Sequence, residues 1–182
     1  MNKLLSMVLV YIILVSTTQA ETGDASGWYL GAGYGLSRLE PDTNNTGFTV
    51  SDSNDFAVKV FAGYAWSERV SAEAYYADLG KAGISPFGEV EYQDYGISGL
   101  YYFRDRQTIH GDWIAFGKLG VGRMENDSDL PFRRINDTHV LFGAGFEHGI
   151  NRHLNLRVEL EFFEEDAQFL SINLLRRFGN EK

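Results

Sequence analysis

Charged side chains inside long apolar runs are the feature of this sequence that could carry chemistry. In residues 154–162 every second residue is apolar, and the residues between them include one arginine and two glutamates. Because a lone charge in an apolar interior is costly, such residues are expected to pair with opposite charges. We predict one internal network of ion pairs, with a gated ion path along it as the alternative. Six residues make up this predicted lumen network: Lys59, Glu73, Lys118, Arg157, Glu159 and Glu161.

Histidine-based catalysis has one candidate combination. His139 lies near Ser128 and Asp137 in the sequence, so a histidine base with a serine or an aspartate could be assembled. Nothing in the spacing fixes their geometry, and we predict neither a catalytic site nor a cofactor. Solvated carboxylates are also a simpler expectation than a calcium site, and no metal is predicted. The acidic residues considered as calcium ligands are Asp52, Asp55, Asp127 and Asp129.

Composition excludes several other classes of protein. The chain has 182 residues, which suits one domain, and a formal net charge of -9, which repels nucleic acid. It contains no cysteine, so disulfide scaffolds, thiolate metal sites and cysteine nucleophiles are excluded. With 20 glycines and only 3 prolines, it suits long β-strands with closely approaching backbones better than helices.

The N-terminus predicts a secretory signal. Lys3 is the positive end, an apolar run extends from Leu4 to Val15, and small or polar residues lead to Ala20. The run is shorter than the roughly 20 residues that a membrane-spanning helix needs, so cleavage after Ala20 is expected. We therefore predict a signal peptide at 1–20 and a single domain at 21–182.

The elements that position the charges are predicted to be β-strands. Apolar and other residues alternate with a period of two in runs of about ten residues, the length of a tilted strand that crosses hydrocarbon. Short turns and longer polar connections alternate between these runs, and the long connections are 37–55, 80–92 and 124–138. Membrane β-barrels have this alternation of short periplasmic turns and longer extracellular loops. The predicted strands are 28–36, 56–66, 70–78, 95–103, 113–123, 140–148, 154–162 and 169–178.

The aromatic residues indicate which face of the barrel is outside. In a soluble barrel the apolar face points inward, whereas in a membrane barrel it meets lipid. The tryptophans all fall on the apolar face at the predicted periplasmic ends of their strands, and such rings prefer the headgroup layer. We therefore predict an eight-stranded antiparallel up-and-down transmembrane β-barrel, closed between its first and last strands. The predicted membrane-interface aromatics are Trp28, Tyr64, Trp66, Trp113 and Phe178 at one rim and Phe56, Tyr76 and Phe162 at the other.

For one predicted strand the sequence does not decide which face points outward. In the run 95–103, Tyr95 and Ile97 belong to the predicted apolar face, but Leu100 and Tyr102 lie on the opposite face. Both faces of this run are therefore partly apolar, and the alternation alone leaves its orientation undecided.

Short motifs distributed along the chain resemble the OmpA-like transmembrane β-barrel family. They are residues 61–64 (FAGY), 75–80 (YYADLG), 117–122 (GKLGVG), 143–147 (GAGFE) and 156–161 (LRVELE). The resemblance concerns the barrel domain only, and it implies an all-β barrel of eight strands whose interior is filled by a polar, charged network. It also implies that the last strand, which ends at Phe178, is recognised by the barrel-assembly machinery.

The resemblance and the export signal together predict an integral protein of the bacterial cell outer membrane. An eight-stranded barrel has an interior just wide enough for side chains, so a general porin is not expected. We predict a monomer that contacts outer-membrane lipid and lipopolysaccharide and has a structural or surface-interaction role through its extracellular loops. Two alternatives stay open, a lipid A-modifying enzyme that uses His139 and a soluble periplasmic ligand-binding barrel.

Overall fold

Most of the described chain is β-strand. The computed structural model describes residues 26–39, 49–52, 54–85, 88–106, 112–127, 136–151, 153–163 and 167–178, so the predicted signal peptide lies outside it. Within these ranges no helix is long and apolar enough to cross a membrane. The strands are β1 (Gly27–Leu39), β2 (Thr49–Asp52), β3 (Asn54–Ala65), β4 (Val70–Ser85), β5 (Gly88–Tyr102), β6 (Trp113–Asp127), β7 (Asn136–Gly149), β8 (Leu154–Phe163) and β9 (Ala167–Arg177).

The strands form a closed barrel because the first pairs with the last. β1 pairs with β9 from Tyr29 opposite Arg177 to Leu39 opposite Ala167, and β4 pairs with β5 to complete the circle. All of these pairings are antiparallel. The predicted eight-stranded up-and-down barrel is confirmed, with β1 and β3 to β9 as its strands. The short β2 pairs with the far part of β4, beyond the residues of β4 that pair with β3.

The barrel has two distinct ends, which we name by their strand connections. The inner end is the one at which β3 meets β4, β5 meets β6 and β7 meets β8, and the outer end is the opposite one. Hydrogen bonds within the β3–β4 turn and the β7–β8 turn tighten the inner end, for example from the Trp66 amide to the Val70 carbonyl at 3.1 Å. Strands β4, β5, β6 and β7 continue furthest toward the outer end.

The apolar side chains point out of the barrel, as the aromatic residues predict. Trp28 is 63% exposed and Leu119 is 64% exposed, whereas their neighbours Tyr29 and Lys118 are buried inside. An apolar exterior around a polar interior is the reverse of a soluble barrel and is the arrangement of a barrel that contacts lipid.

Strand β5 shows why the sequence leaves its phase open. Ile97 points outward and is exposed, while Leu100 and Tyr102 are buried in the interior. There they form an apolar cluster with Ile114 and Phe116 of β6. Because this cluster packs the inner end of the lumen, the strand carries apolar residues on both faces at that level.

The predicted connection 80–92 is wrong, because β4 extends to Ser85 and β5 already begins at Gly88. A bulge shifts the register between Asp78 and Gly80, and Gly80 has a φ of 80°, which glycine adopts without strain. The register shift breaks the period-two pattern of the sequence. Beyond the lipid neither face of a strand needs to be apolar, so the hairpin continues without a hydrophobic signal.

The other two long connections are also partly strand. β2 and the start of β3 lie within the predicted connection 37–55, and the ends of β6 and β7 lie within the predicted connection 124–138. The reason is the same as for the β4–β5 hairpin, since alternation of apolar residues marks only the part of a strand that meets lipid.

Inward-pointing aromatic rings lie over glycines on the neighbouring strand. Tyr29 is directly opposite Gly63, and Phe61 is directly opposite Gly31. A Cβ atom added to Gly63 would lie 2.2 Å from Cζ of Tyr29, and one added to Gly31 would lie 2.1 Å from Cζ of Phe61. The interior is narrow, so each of these rings fits only because the residue opposite it on the neighbouring strand is a glycine.

We expect Gly63→Ala to destabilise the barrel by about 1–3 kcal/mol, the usual cost of overpacking a filled interior. Tyr29 cannot move away freely, because its hydroxyl donates a hydrogen bond to Glu73 at 3.0 Å. Urea unfolding in detergent micelles, followed by tryptophan fluorescence, measures the change. Gly99→Ala is the matched control, since its added Cβ would find its nearest neighbour at 3.9 Å. Equal unfolding midpoints for the two variants would contradict the steric account.

Candidate functional site

The six residues of the predicted lumen network all lie inside the barrel. They come from β3, β4, β6 and β8, and alternation along each strand turns them inward. Each is buried, and Arg157 has 0% of its surface exposed. Five of them form a middle layer of the lumen, and Arg157 belongs to an inner layer next to it, toward the inner end. An outer layer lies on the other side, toward the outer end.

The middle layer joins β8 to strands across the lumen. Lys59 of β3 forms ion pairs with both Glu159 and Glu161 of β8. Lys118 of β6 lies 2.7 Å from Glu161 and 3.2 Å from Glu73 of β4. Two lysines thus face three glutamates across the bore, and Glu73 also pairs with Arg157, so each of these buried charges has a partner of opposite sign.

The inner layer is built around Arg157. Its guanidinium bonds Glu73 through Nη1 and Glu147 through Nε and Nη2, at 3.1 and 3.0 Å for the latter two. The Tyr102 hydroxyl donates to Glu147 at 2.7 Å and accepts from Arg157 Nη2 at 3.0 Å. Arg157 therefore holds β8 to β4, β5 and β7 at one level of the lumen.

Sequence reasoning left Glu147 and Arg177 out of the network. Arg177 donates to Glu147 Oε1, and so does Asn155 at 2.6 Å. Both missed residues lie on the inward face of their predicted strands. The alternation that located the other six residues could therefore have located these two as well. They lie at the ends of these strands, where a charge is equally typical of a solvated turn.

The outer layer contains the histidine singled out from the sequence. His139 Nε2 lies 3.2 Å from Asp94 Oδ2, and the Tyr75 hydroxyl donates to Asp94 Oδ1 at 2.6 Å. His139 is buried, and its described carboxylate partner, Asp94, is on β5. Ser128 lies outside the described residues, as does the side chain of Asp137.

Asp55 is the only one of the carboxylates considered for calcium whose side chain is described. Asp55 accepts hydrogen bonds from the backbone amides of Phe56 and Lys81, at 2.7 and 2.6 Å, and so ties β3 to β4. The side chains of Asp52 and Asp127, and the whole of Asp129, lie outside the described residues. In the part of the chain that is described, no group of three or more acidic or histidine side chains could hold a metal ion.

The predicted interface aromatics lie on the outer surface at two levels. Near the inner end Trp28, Trp66 and Trp113 are exposed, and Tyr64 contacts both Trp28 and Trp66 with ring centroids 5.1 and 5.9 Å apart. Phe178 is half-buried there, and its amide donates to the Trp28 carbonyl at 2.9 Å. The other level is marked by the exposed Phe56 and Tyr76 and the half-buried Phe162.

Toward the outer end the outward residues change from apolar to polar. On four strand pairs the register places two outward polar residues side by side, which marks the outer limit of the apolar belt. The pairs are Arg38 with Asn54 and with Gln168, Asp78 with Gln93, and Arg123 with Thr138. A belt bounded in this way fits a hydrocarbon layer between two polar surfaces.

The chain matches a protein family by its sequence and solved structures by its fold. Over residues 7–178 the chain matches the family described as "Outer membrane protein beta-barrel domain". No curated protein sequence matches it.

Solved structures with the same fold include three bacterial proteins. The N-terminal β-barrel domain of OprF from Pseudomonas aeruginosa is 12% identical, with a TM-score of 0.58, covering 86% of this chain and 100% of that one. Neisserial surface protein A is 14% identical, with a TM-score of 0.54, covering 85% and 100%. Ail, the attachment invasion locus protein of Yersinia pestis, is 15% identical, with a TM-score of 0.52, covering 84% and 97%. At these identities the similarity concerns the fold.

We expect Arg157→Met to lower the free energy of unfolding by about 3–5 kcal/mol, because it leaves Glu73 and Glu147 buried with too few partners. Adding Glu147→Gln to this variant is expected to recover part of the loss. Chemical unfolding in detergent micelles measures both. The matched control is Lys81→Met, which removes an exposed pair with Glu91 and should cost about 0–1 kcal/mol. An Arg157 variant as stable as the Lys81 variant would show that the inner layer does not stabilise the fold.

Proposed function

The chain belongs to the family of outer membrane protein β-barrel domains, and we propose that it is a closed barrel that displays its outer strands at the bacterial cell surface and does not conduct nutrients. The outer membrane is the location that this family membership gives. The display of a surface for interaction, and the lack of a general porin activity, are the parts that we propose.

The observation that carries the proposal is the filled lumen. Lys59, Lys118 and Arg157 reach across the bore to glutamates on other strands and are fully or almost fully buried. The apolar cluster of Leu100, Tyr102, Ile114 and Phe116 packs the inner end. Eight strands leave an interior just wide enough for such side chains, so a path for hydrated solutes is not expected.

The outer end supports a role in surface interaction. The β4–β5 hairpin continues past the polar limit at Asp78 and Gln93 as far as Ser85 and Gly88, and β2 pairs alongside it. A rigid barrel positions these strands beyond the lipid, where binding segments of such scaffolds are found. The structure of Ail was solved in complex with the heparin analogue sucrose octasulfate, so a barrel of this fold can hold a ligand.

Assembly and environment complete the proposal. We propose export through a signal peptide at 1–20 and recognition of the strand that ends at Phe178 by the barrel-assembly machinery. The apolar belt contacts outer-membrane lipid and lipopolysaccharide, and the barrel acts as a monomer. The buried position of His139 gives no support to a lipid A-modifying activity.

An epitope inserted between Ser85 and Gly88 is expected to be labelled by antibody on intact bacteria, because the β4–β5 hairpin lies at the outer end. The matched insertion between Asn151 and His153, at the inner end, should be labelled only after the outer membrane is permeabilised. Heat-dependent migration on gels verifies that both variants fold. Labelling of the inner-end epitope alone on intact cells would reverse the proposed orientation.

Liposomes that contain the purified barrel are expected to swell in sugar solutions no faster than liposomes without protein, since the lumen is filled by paired charges. A general porin reconstituted in the same lipid is the positive control. Swelling that increases with the amount of folded barrel would contradict the closed lumen, and it would leave the surface display to be judged by the epitope experiment.

A further inference from the structure

The inner end of the lumen is closed by an arginine from the connection after β5. Arg106 lies outside the strands, yet it is only 4% exposed, and its guanidinium carbon lies 4.4 Å from the centroid of the Tyr102 ring. Its Nε and Nη2 donate to the backbone carbonyls of Glu68 and Ser67 in the β3–β4 turn, at 2.8 and 2.5 Å. The third nitrogen, Nη1, is buried and has no acceptor among the described residues.

Arg106 enters a region that already contains two arginines. Arg157 and Arg177 both bond Glu147, and Arg177 also has a buried Nε without an acceptor in the described part of the chain. Tyr102 connects the group, because its ring packs on Arg106 and its hydroxyl donates to Glu147. Glu73, the other carboxylate that Arg157 bonds, is shared with Lys118.

Among the described residues of the inner and middle layers, positive charges exceed negative charges by one. The basic residues there are Lys59, Arg106, Lys118, Arg157 and Arg177, and the acidic ones are Glu73, Glu147, Glu159 and Glu161. The other carboxylate that is buried in the described part of the chain, Asp94, lies in the outer layer beside His139. Burial, followed by the nearby charge of Arg177, holds the pKa of Arg106 below its usual value.

We propose that a small inorganic anion, a halide or a phosphate, binds at the inner end of the lumen between Arg106 and Arg177. It accepts from the buried Nη1 of Arg106 and the buried Nε of Arg177, and it supplies the negative charge that Glu147 alone does not. A water molecule could accept the same hydrogen bonds but would leave the charges of the arginines uncompensated. Guanidinium groups are suited to this role, since they bind anions through charge-assisted hydrogen bonds.

The first test is the thermal unfolding of the purified full chain in detergent micelles, titrated with sodium phosphate or sodium chloride. Sodium gluconate at equal ionic strength is the reference, because gluconate is a larger anion than a halide or phosphate. We expect a saturable rise of the unfolding temperature with at least one of the small anions, because a ligand that binds the folded state stabilises it. The anion that produces the rise identifies the class of ligand.

Arg106→Gln should lower the apparent anion affinity by about tenfold or more, since it removes one charge-assisted donor and one charge. Arg69→Gln is the matched control from the neighbouring turn. Arg69 forms an exposed pair with Asp105, and this guanidinium holds the pKa of Asp105 below its usual range. The control should keep the affinity of the parent chain. An equal response of the parent and the Arg106 variant, or no saturable response in the parent, would overturn the proposal.

Crystals of the unmodified chain soaked in bromide or selenate give a second test that does not depend on the stability of any variant. An anomalous peak within hydrogen-bond distance of both Arg106 and Arg177 is expected. Ordered water at that position without an anomalous peak from either anion would show that the arginines are solvated and that no anion site exists.

Discussion

Closure of the backbone hydrogen-bond network is the constraint on which the rest of this structure depends. An unpaired amide or carbonyl in hydrocarbon costs several kcal/mol, so neither β1 nor β9 can be left as an open edge. The two strands pair along their length, and the Phe178 amide extends the pairing by donating to Trp28 beyond the end of β9. Once the sheet is closed, each strand has one face toward lipid and one toward the lumen. The alternation of apolar and polar side chains then decides which face of each strand meets lipid and which faces the lumen.

The small circumference makes the interior a packing problem as well as an electrostatic one. The Arg157 guanidinium lies 5.1 Å from the ring centroids of both Phe61 and Phe116, while its nitrogens bond two carboxylates. Phe61 in turn needs Gly31 opposite it. The charge, the rings and the glycines are therefore one packed unit, in which the glycines make room for the rings and the rings surround the charge. Such a unit fills the bore while its arginine keeps two carboxylate partners, Glu73 and Glu147.

The sequence predicts the part of this unit that lies at the height of the lipid. Lys118 and Arg157 are recognisable because apolar residues flank them on both sides, a pattern that lipid contact imposes. Asp94 was not predicted to belong to the network. It lies beside the predicted connection 80–92, where the apolar alternation has ended but the strand continues. Tyr102 was missed for another reason. From the sequence alone, an inward aromatic residue of a membrane barrel cannot be distinguished from an outward one until the pairing of its strand is known. The sequence thus identifies the strands and their lipid-facing residues, but the lengths of the strands and the partners across the lumen follow only from the register.

Strand β8 shows how the charges in turn specify that register. Its inward residues Arg157, Glu159 and Glu161 find partners on β3, β4, β6 and β7. A slip of one residue against β7 or β9 would turn all three toward lipid, where an arginine near the midplane costs about 2–4 kcal/mol and acidic residues cost less. The same slip would bury Leu156, Val158 and Leu160 among the lysines that had lost their partners. Apolar alternation alone would penalise such a slip through lost lipid contact, and the alternating charges add a second penalty at the same positions. The lumen network thus specifies the register of this strand as well as filling the bore.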